Sequence, residues 1–240
     1  MNLHSHSDPK KVEILFNKEE YCVVYKPAGL LVHPYERNKN ERDDLLKRVR
    51  NHFNTYVYPV NRLDRPVSGI VVFAKSSEIA NQFKLQWNQD STIKKYIALC
   101  KGDLTSPGQF NRPIKTEAGI EKESLTLYWP LHNFDLEYTL LDIEIKTGRR
   151  HQIRRHFRQA NRNLVGDVKH GKGHINKHFR AKYDFHRIFL QAYYLEFPCP
   201  ITNEKISIRI PIDQSMKEIL IDLNCPNQII KNFCEISQEF

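Results

Sequence analysis

An acidic side chain set between two guanidinium groups, in Arg62-Leu63-Asp64-Arg65, is the arrangement in this 240-residue chain best suited to chemistry. If the segment is extended, Arg62 and Asp64 project to the same face. Cationic neighbours favour the ionised carboxylate and so keep a nucleophile available. Taken alone, such a cluster is more often a structural ion pair than a catalytic site, so its surroundings decide. Pro66 biases Arg65 toward extended backbone, and Gly69 permits a close or unusual path. The continuously apolar Ile70–Ala74 follows at once. A loop feeding a buried strand holds a reactive group rigidly.

Three further stretches carry candidate groups, and they stand in order after that loop. Lys95-Tyr96-Ile97-Ala98 offers a phenol within a strand-like run. Thr147-Gly148-Arg149-Arg150-His151-Gln152-Ile153-Arg154-Arg155-His156 concentrates arginine, and Gly166-Asp167-Val168-Lys169-His170-Gly171 follows. Lysine and arginine exceed acids by 37 to 28, a net +9. All of that excess lies between Lys146 and Arg187, where 13 Lys/Arg face two acids, Asp167 and Asp184. A near-neutral body with one basic segment is the electrostatic footprint of a polyanion binder. The rival is a solvated charged face, but such faces mix signs.

Other chemistries are poorly supported. His170, His174 and His178 have helical spacing for a metal, yet Gly171 and Gly173 break the helical reading. No cysteine lies nearby at ligand spacing, so this stretch reads as a basic, flexible loop facing the polyanion, with no metal. The nucleotide-binding Gly-x-x-x-x-Gly-Lys-Ser/Thr and the hydrolase Gly-x-Ser-x-Gly are both missing.

The elements that must position these groups are mostly strands. Val12–Phe16 and Tyr21–Tyr25 flank a short polar turn. Leu125, Leu127 and Trp129 alternate with polar residues, as do Leu141, Ile143 and Ile145, and Ile206 through Ile212. Each predicts a half-buried strand of a mostly antiparallel sheet, with Ile70–Ala74 central. Helices are predicted from the stripes Leu45/Leu46/Val49/Phe53, Ile79/Ala80/Phe83/Trp87 and Ile153/Phe157/Ala160, and over Met216–Leu223. Ser76 or Ser77 caps the second. Arg150, Arg154 and Arg158 would stack on one side of the third, three like charges that a phosphate backbone would relieve. The fold class is α+β, a mostly antiparallel or mixed sheet with flanking helices. Residues 1–11 are expected to be a flexible segment and 12–240 one domain.

Taken together, Arg-Leu-Asp-x-x-x-Ser-Gly and the three ordered stretches resemble the RNA pseudouridine synthases with the His-Arg-Leu-Asp motif. Lys26-Pro27-Ala28-Gly29 and Val32-His33 resemble that family's N-terminal strand and loop, and the likeness runs from about Val12 to Ile212. Asn61 stands where the family usually has His, Val67 where it has Thr, and His170 where Tyr is commoner. The resemblance implies the pseudouridine synthase catalytic-domain fold and an isomerase that needs no cofactor. It implies Asp64 as nucleophile, Tyr96 stacking on the base or managing the C5 proton, and Arg154 pairing with Asp64, with Arg149 as second choice for that pairing. Arg62 would fill the space of a flipped uridine or hold a phosphate. Arg65, Arg149, Arg150, His151, Arg155, Arg158, Lys169 and His170 would contact RNA. Arg154-Arg155-His156, Lys169-His170-Gly171 and a start lacking an added RNA-binding module resemble the branch acting on uridine 65 of tRNA. Another tRNA position or 23S rRNA is the near alternative, and a non-catalytic RNA-binding module the rival from another class.

Composition sets the remaining expectations. Five scattered cysteines without a Cys-x-x-Cys pair fit a reducing cytosol. No apolar run reaches the ~18 residues of a membrane span, and the first ten residues lack a secretory h-region. A cytoplasmic monomer with RNA as partner is expected.

Overall fold

A computed structural model describes residues 11–34, 43–135, 137–234 and 236–239. The order begins β1 (Glu13–Asn17), β2 (Tyr21–Lys26), α1 (Leu45–Phe53), β3 (Tyr58–Pro59), β4 (Ser68–Ala74), α2 (Ser77–Gln86) and β5 (Ile93–Lys101). It continues with β6 (Gly108–Phe110), β7 (Ile114–Lys115), β8 (Glu121–Lys122), β9 (Thr126–Phe134), β10 (Tyr138–Ile145) and α3 (Gln152–Gln159). It closes with α4 (Gly173–Tyr183), β11 (Leu190–Pro198), β12 (Lys205–Arg209), α5 (Gln214–Asp222), α6 (Asn227–Asn232) and β13 (Ser237–Glu239).

Among the described residues the strands form an eleven-stranded sheet, with β7 and β8 as a separate hairpin. The main path is β1-β2-β4-β11-β5-β10-β9-β6. Its pairs are antiparallel except β4 with β11, which makes the sheet mixed. Every residue of β4 is buried because β2 and β11 flank it and helices cover both faces, which is why its sequence is continuously apolar. Alternation sorts the core into two layers. Ile70, Val72, Ile97 and Leu99 face one way, toward Phe83, Phe179 and Met216 of α2, α4 and α5. Val71, Phe73, Tyr96 and Ala98 face the other way, toward Val49, Leu63 and Phe157.

Local chemistry sets the helix starts. Asp44 caps α1 by accepting from the Lys47 amide at 2.9 Å, and Ser76 caps α2 by accepting from Ile79 at 3.2 Å. Helix α5 begins at Gln214, two residues before the predicted start. Two expectations need correction. The segment after Gly171 is a helix of 11 residues, not a flexible loop. Gly173 sits at its first position, where glycine costs little, and burial of Ile175, Asn176 and Phe179 outweighs propensity. Arg150 does not stack with Arg154 and Arg158, because α3 starts at Gln152 after His151, whose φ is 55°.

Candidate active site

The loop bearing Asp64 is tied down from several sides. The Asn61 amide mimics a strand partner, accepting from the Val72 amide at 2.8 Å and donating to the Ile70 carbonyl at 3.2 Å. Asparagine therefore anchors the loop to β4 at the position where the resembled family has histidine. Val67 donates to the Asp64 carbonyl at 3.0 Å, closing a turn. Gly69 has φ 131°, and a Cβ there would run into the Ala192 carbonyl, so only glycine lets β4 approach β11 this closely.

Lys26, fully buried at the end of β2, fixes the other flank. Its Nζ donates to the carbonyls of Pro27 at 2.9 Å, Leu30 at 2.7 Å and Arg65 at 3.2 Å. Burial, then the nearby Arg187 charge, pull its pKa down to about 7. Arg65 points back into this corner, donating from Nε to the Gly29 carbonyl at 2.9 Å.

Helix α3 supplies the partner of the carboxylate. Arg154 donates from Nη1 to Asp64 Oδ2 at 2.9 Å. Its Nε and Nη2 form a two-pronged contact with Asp167, both at 2.8 Å. The Asp167 side chain is 1% exposed and also accepts the amides of Lys169 and His170. Burial alone would raise its pKa, but the Arg154 contacts overcome that and leave it below its ordinary value. Burial opposes the Arg154 charge, and the two carboxylates outweigh it, raising the guanidinium further. Gln152 sets the register of the helix start: its Nε2 donates to the Leu125 carbonyl at 3.0 Å, and its Oε1 accepts from Thr147 at 2.7 Å and from the Arg149 amide at 3.0 Å.

A pocket of about 80 Å³ lies over the carboxylate, lined by Asp64, Tyr96, Val67, Ile145, Leu190 and Arg154. Burial, then the Asp64 charge, raise the Tyr96 pKa above that of free tyrosine, so the phenol stays protonated. The pocket opens on a cleft of about 740 Å³, where Arg155, Arg158, Lys169 and His170 lie. Arg62, Arg149, Arg150 and His151 line both spaces. Arg150 is ion-paired with Glu117 of the hairpin tip, and Arg155 donates to the Lys115 carbonyl at 2.8 Å. His151 Nε2 stands 3.8 Å from Asp64 Oδ1, and its Nδ1 is 3.0 Å from His170 Nε2. Burial first, then Arg154, bring His151 down to about 4, leaving a neutral imidazole against the carboxylate.

Of the residues singled out in sequence, Asp64, Tyr96 and Arg154 come together in the pocket, while eight of the rest line the pocket or the cleft. Arg65 lines neither. The three histidines do not converge: His170 meets His151, whereas His174 and His178 line a separate cleft with Lys101. Sequence reasoning gave no role to Asp167, Gln152 or Lys26. Each lies inside one of the motifs named above, but their partners come from segments distant in the chain.

A pocket built on an arginine-paired aspartate beside a basic cleft, on a mixed sheet of this topology, defines a class. The family described as RNA pseudouridylate synthase matches residues 20–159, and the chain belongs to that family of isomerases. It is 34% identical to tRNA pseudouridine synthase C of Vibrio parahaemolyticus, over 93% of this chain and 99% of that protein. Identity to tRNA pseudouridine synthase C of Haemophilus ducreyi is 31%, over 85% of this chain and 92% of that protein. The fold is shared with human RNA Pseudouridylate Synthase Domain Containing 4, with a TM-score of 0.70 at 22% identity covering 88% of this chain and 93% of that one.

Proposed function

We propose that this enzyme converts uridine 65 of tRNA to pseudouridine, with Asp64 as the nucleophile. The observation that carries the reading is the Asp64 carboxylate held at 2.9 Å by Arg154 in a narrow pocket shared with Tyr96. The tRNA relatives supply the substrate class.

The isomerisation breaks the ribose C1′ to uracil N1 bond, turns the base and joins C1′ to C5. C5 loses a proton, N1 gains one, and no electron leaves the substrate. Asp64 stabilises or captures the fragment left on bond cleavage. Tyr96 packs against the base and serves as a hydrogen-bond donor. A pocket of about 80 Å³ holds two or three waters rather than a nucleoside. Arg62 and Arg149 at its mouth therefore move as the flipped uridine enters. Arg62 then fills the vacated stack or holds a phosphate. Arg150, Arg155, Arg158, Lys169 and His170 hold the flanking backbone in the cleft. His151 keeps its neutral ring against Asp64, and Arg65 acts through the Gly29 corner.

The test is to incubate the protein with unmodified total tRNA and map new pseudouridines. A single new pseudouridine at position 65 is expected, and Asp64→Asn should bind tRNA while forming none. Modification at another tRNA position or only in 23S rRNA replaces the substrate assignment. An Asp64→Asn protein of undiminished activity removes the mechanism.

A further inference from the structure

The basic segment divides between two faces of the sheet. Its first half surrounds the cleft, on the layer with Leu63 and Phe157. Its second half is α4, which packs Ile175 and Phe179 into the opposite layer. The outward side of α4 carries His174, Lys177, His178 and Arg180, all exposed, with Lys172 exposed just before it. No acid occurs between Val168 and Tyr183. Lys182 pairs with Asp222 at 2.8 Å, but Lys172, Lys177 and Arg180 form no ion pair among the described residues.

Part of this charge works against the helix. Lys172 at the N-cap opposes the helix dipole, Lys177 and Arg180 are like charges three apart, and α4 has neither a side-chain cap nor an acid in its first turn. Of Lys172, Lys177 and Arg180, only Arg180, in the last turn, suits the dipole. The helix is also joined to the active site. Asn176 accepts from the Gly166 amide and donates to the Asp167 carbonyl, both at 2.9 Å, so α4 starts at the loop that carries the partner of Arg154. From Lys169 in the cleft the chain runs through Lys172 to the exposed His174, Lys177 and His178. Lys101 lines a separate cleft with His174 and His178. Arg162 packs beside Gly102 at the same end of β5.

We infer that the outward face of α4 is a second RNA-binding surface, gripping the phosphate backbone of the substrate beyond the target nucleotide. Eleven residues give a track of about 16 Å, enough to meet a second segment of a folded RNA but beyond a short hairpin seated in the cleft. The inference rests on the proposed function for the identity of the polyanion.

The experiment compares full-length tRNA transcript with a short hairpin carrying the same uridine. The variants are Lys172→Glu/Lys177→Glu and, on other helices, the control Lys84→Glu/Lys231→Glu. The α4 pair should raise KM and Kd for the transcript tenfold or more. It should also make the logarithmic salt dependence shallower by about two, one for each phosphate no longer neutralised. Hairpin binding and kcat should stay within twofold. Lys172→Gln/Lys177→Gln, with an unchanged melting temperature, should shift affinity in the same direction by less. Equal weakening by the control pair, equal weakening of the hairpin, or no change for the transcript overturns the inference. Binding read by filter retention separates the two failures. A transcript-specific loss without pseudouridine formation removes the proposed function alone, whereas turnover without that loss removes the second surface alone.

Discussion

Arg154 neutralises two carboxylates that stand on different loops, Asp64 at 2.9 Å and Asp167 at 2.8 Å. Truncating it leaves Asp167 buried without its cation, which costs about 3–5 kcal/mol in comparable buried pairs. Arg154→Ala should therefore lower stability by roughly that amount in urea unfolding, and also abolish turnover. Arg154→Lys retains the charge but not the paired hydrogen bonds to Asp167. It should recover part of the stability while leaving kcat at least tenfold down. A variant with wild-type kcat would show that the pairing with Asp64 is not used in the reaction.

At the scale of elements, Lys26 joins the end of β2 to the Asp64 loop through carbonyls of Pro27, Leu30 and Arg65. Its pKa is about 7 in the fold against 10.5 unfolded, so between those values the unfolded chain binds more protons. Stability from this group should rise with pH from about 7 to about 10.5, and should be flat below 7. The wild type minus Lys26→Met difference should grow by up to about 4 kcal/mol between pH 7 and 10. The three carbonyl acceptors favour the ammonium, so this is an upper bound. Urea midpoints at several pH values check it, and a pH-independent difference refutes it. The helices teach a similar lesson. Propensity placed α1 and α2 correctly because their caps and stripes are local. It failed for α4, whose stability comes from Ile175, Asn176 and Phe179 meeting the rest of the molecule.

Across the whole molecule, a half-buried polar network braces the sheet behind the candidate site. Asp213, just before α5, accepts from Tyr25 and Ser68 at 2.5 Å each and is ion-paired with Arg187. Arg187 also donates to Ser68 at 2.7 Å. Segments from residue 25 to residue 213 thus converge on the start of β4, which the Asp64 loop feeds. Asp213→Asn leaves Arg187 without its counter-charge and should destabilise by about 3 kcal/mol. The loosened β4 should also lower kcat more than it raises KM. An unaltered kcat alongside a lowered melting temperature would assign the network to stability alone.

The sequence by itself determined the α+β class, the central strand, most strand positions and the residues around the Asp64 loop. These depend on alternation, caps and short motifs, all encoded within a few neighbouring residues. Tertiary structure alone decided that Arg154 also holds Asp167, that Lys26 and Asp213 brace the loop, and that the basic segment divides between two faces. Those facts depend on which distant segments meet, and a guanidinium or a carboxylate looks the same in the chain whether its partner is a solvent molecule or a buried charge from another strand.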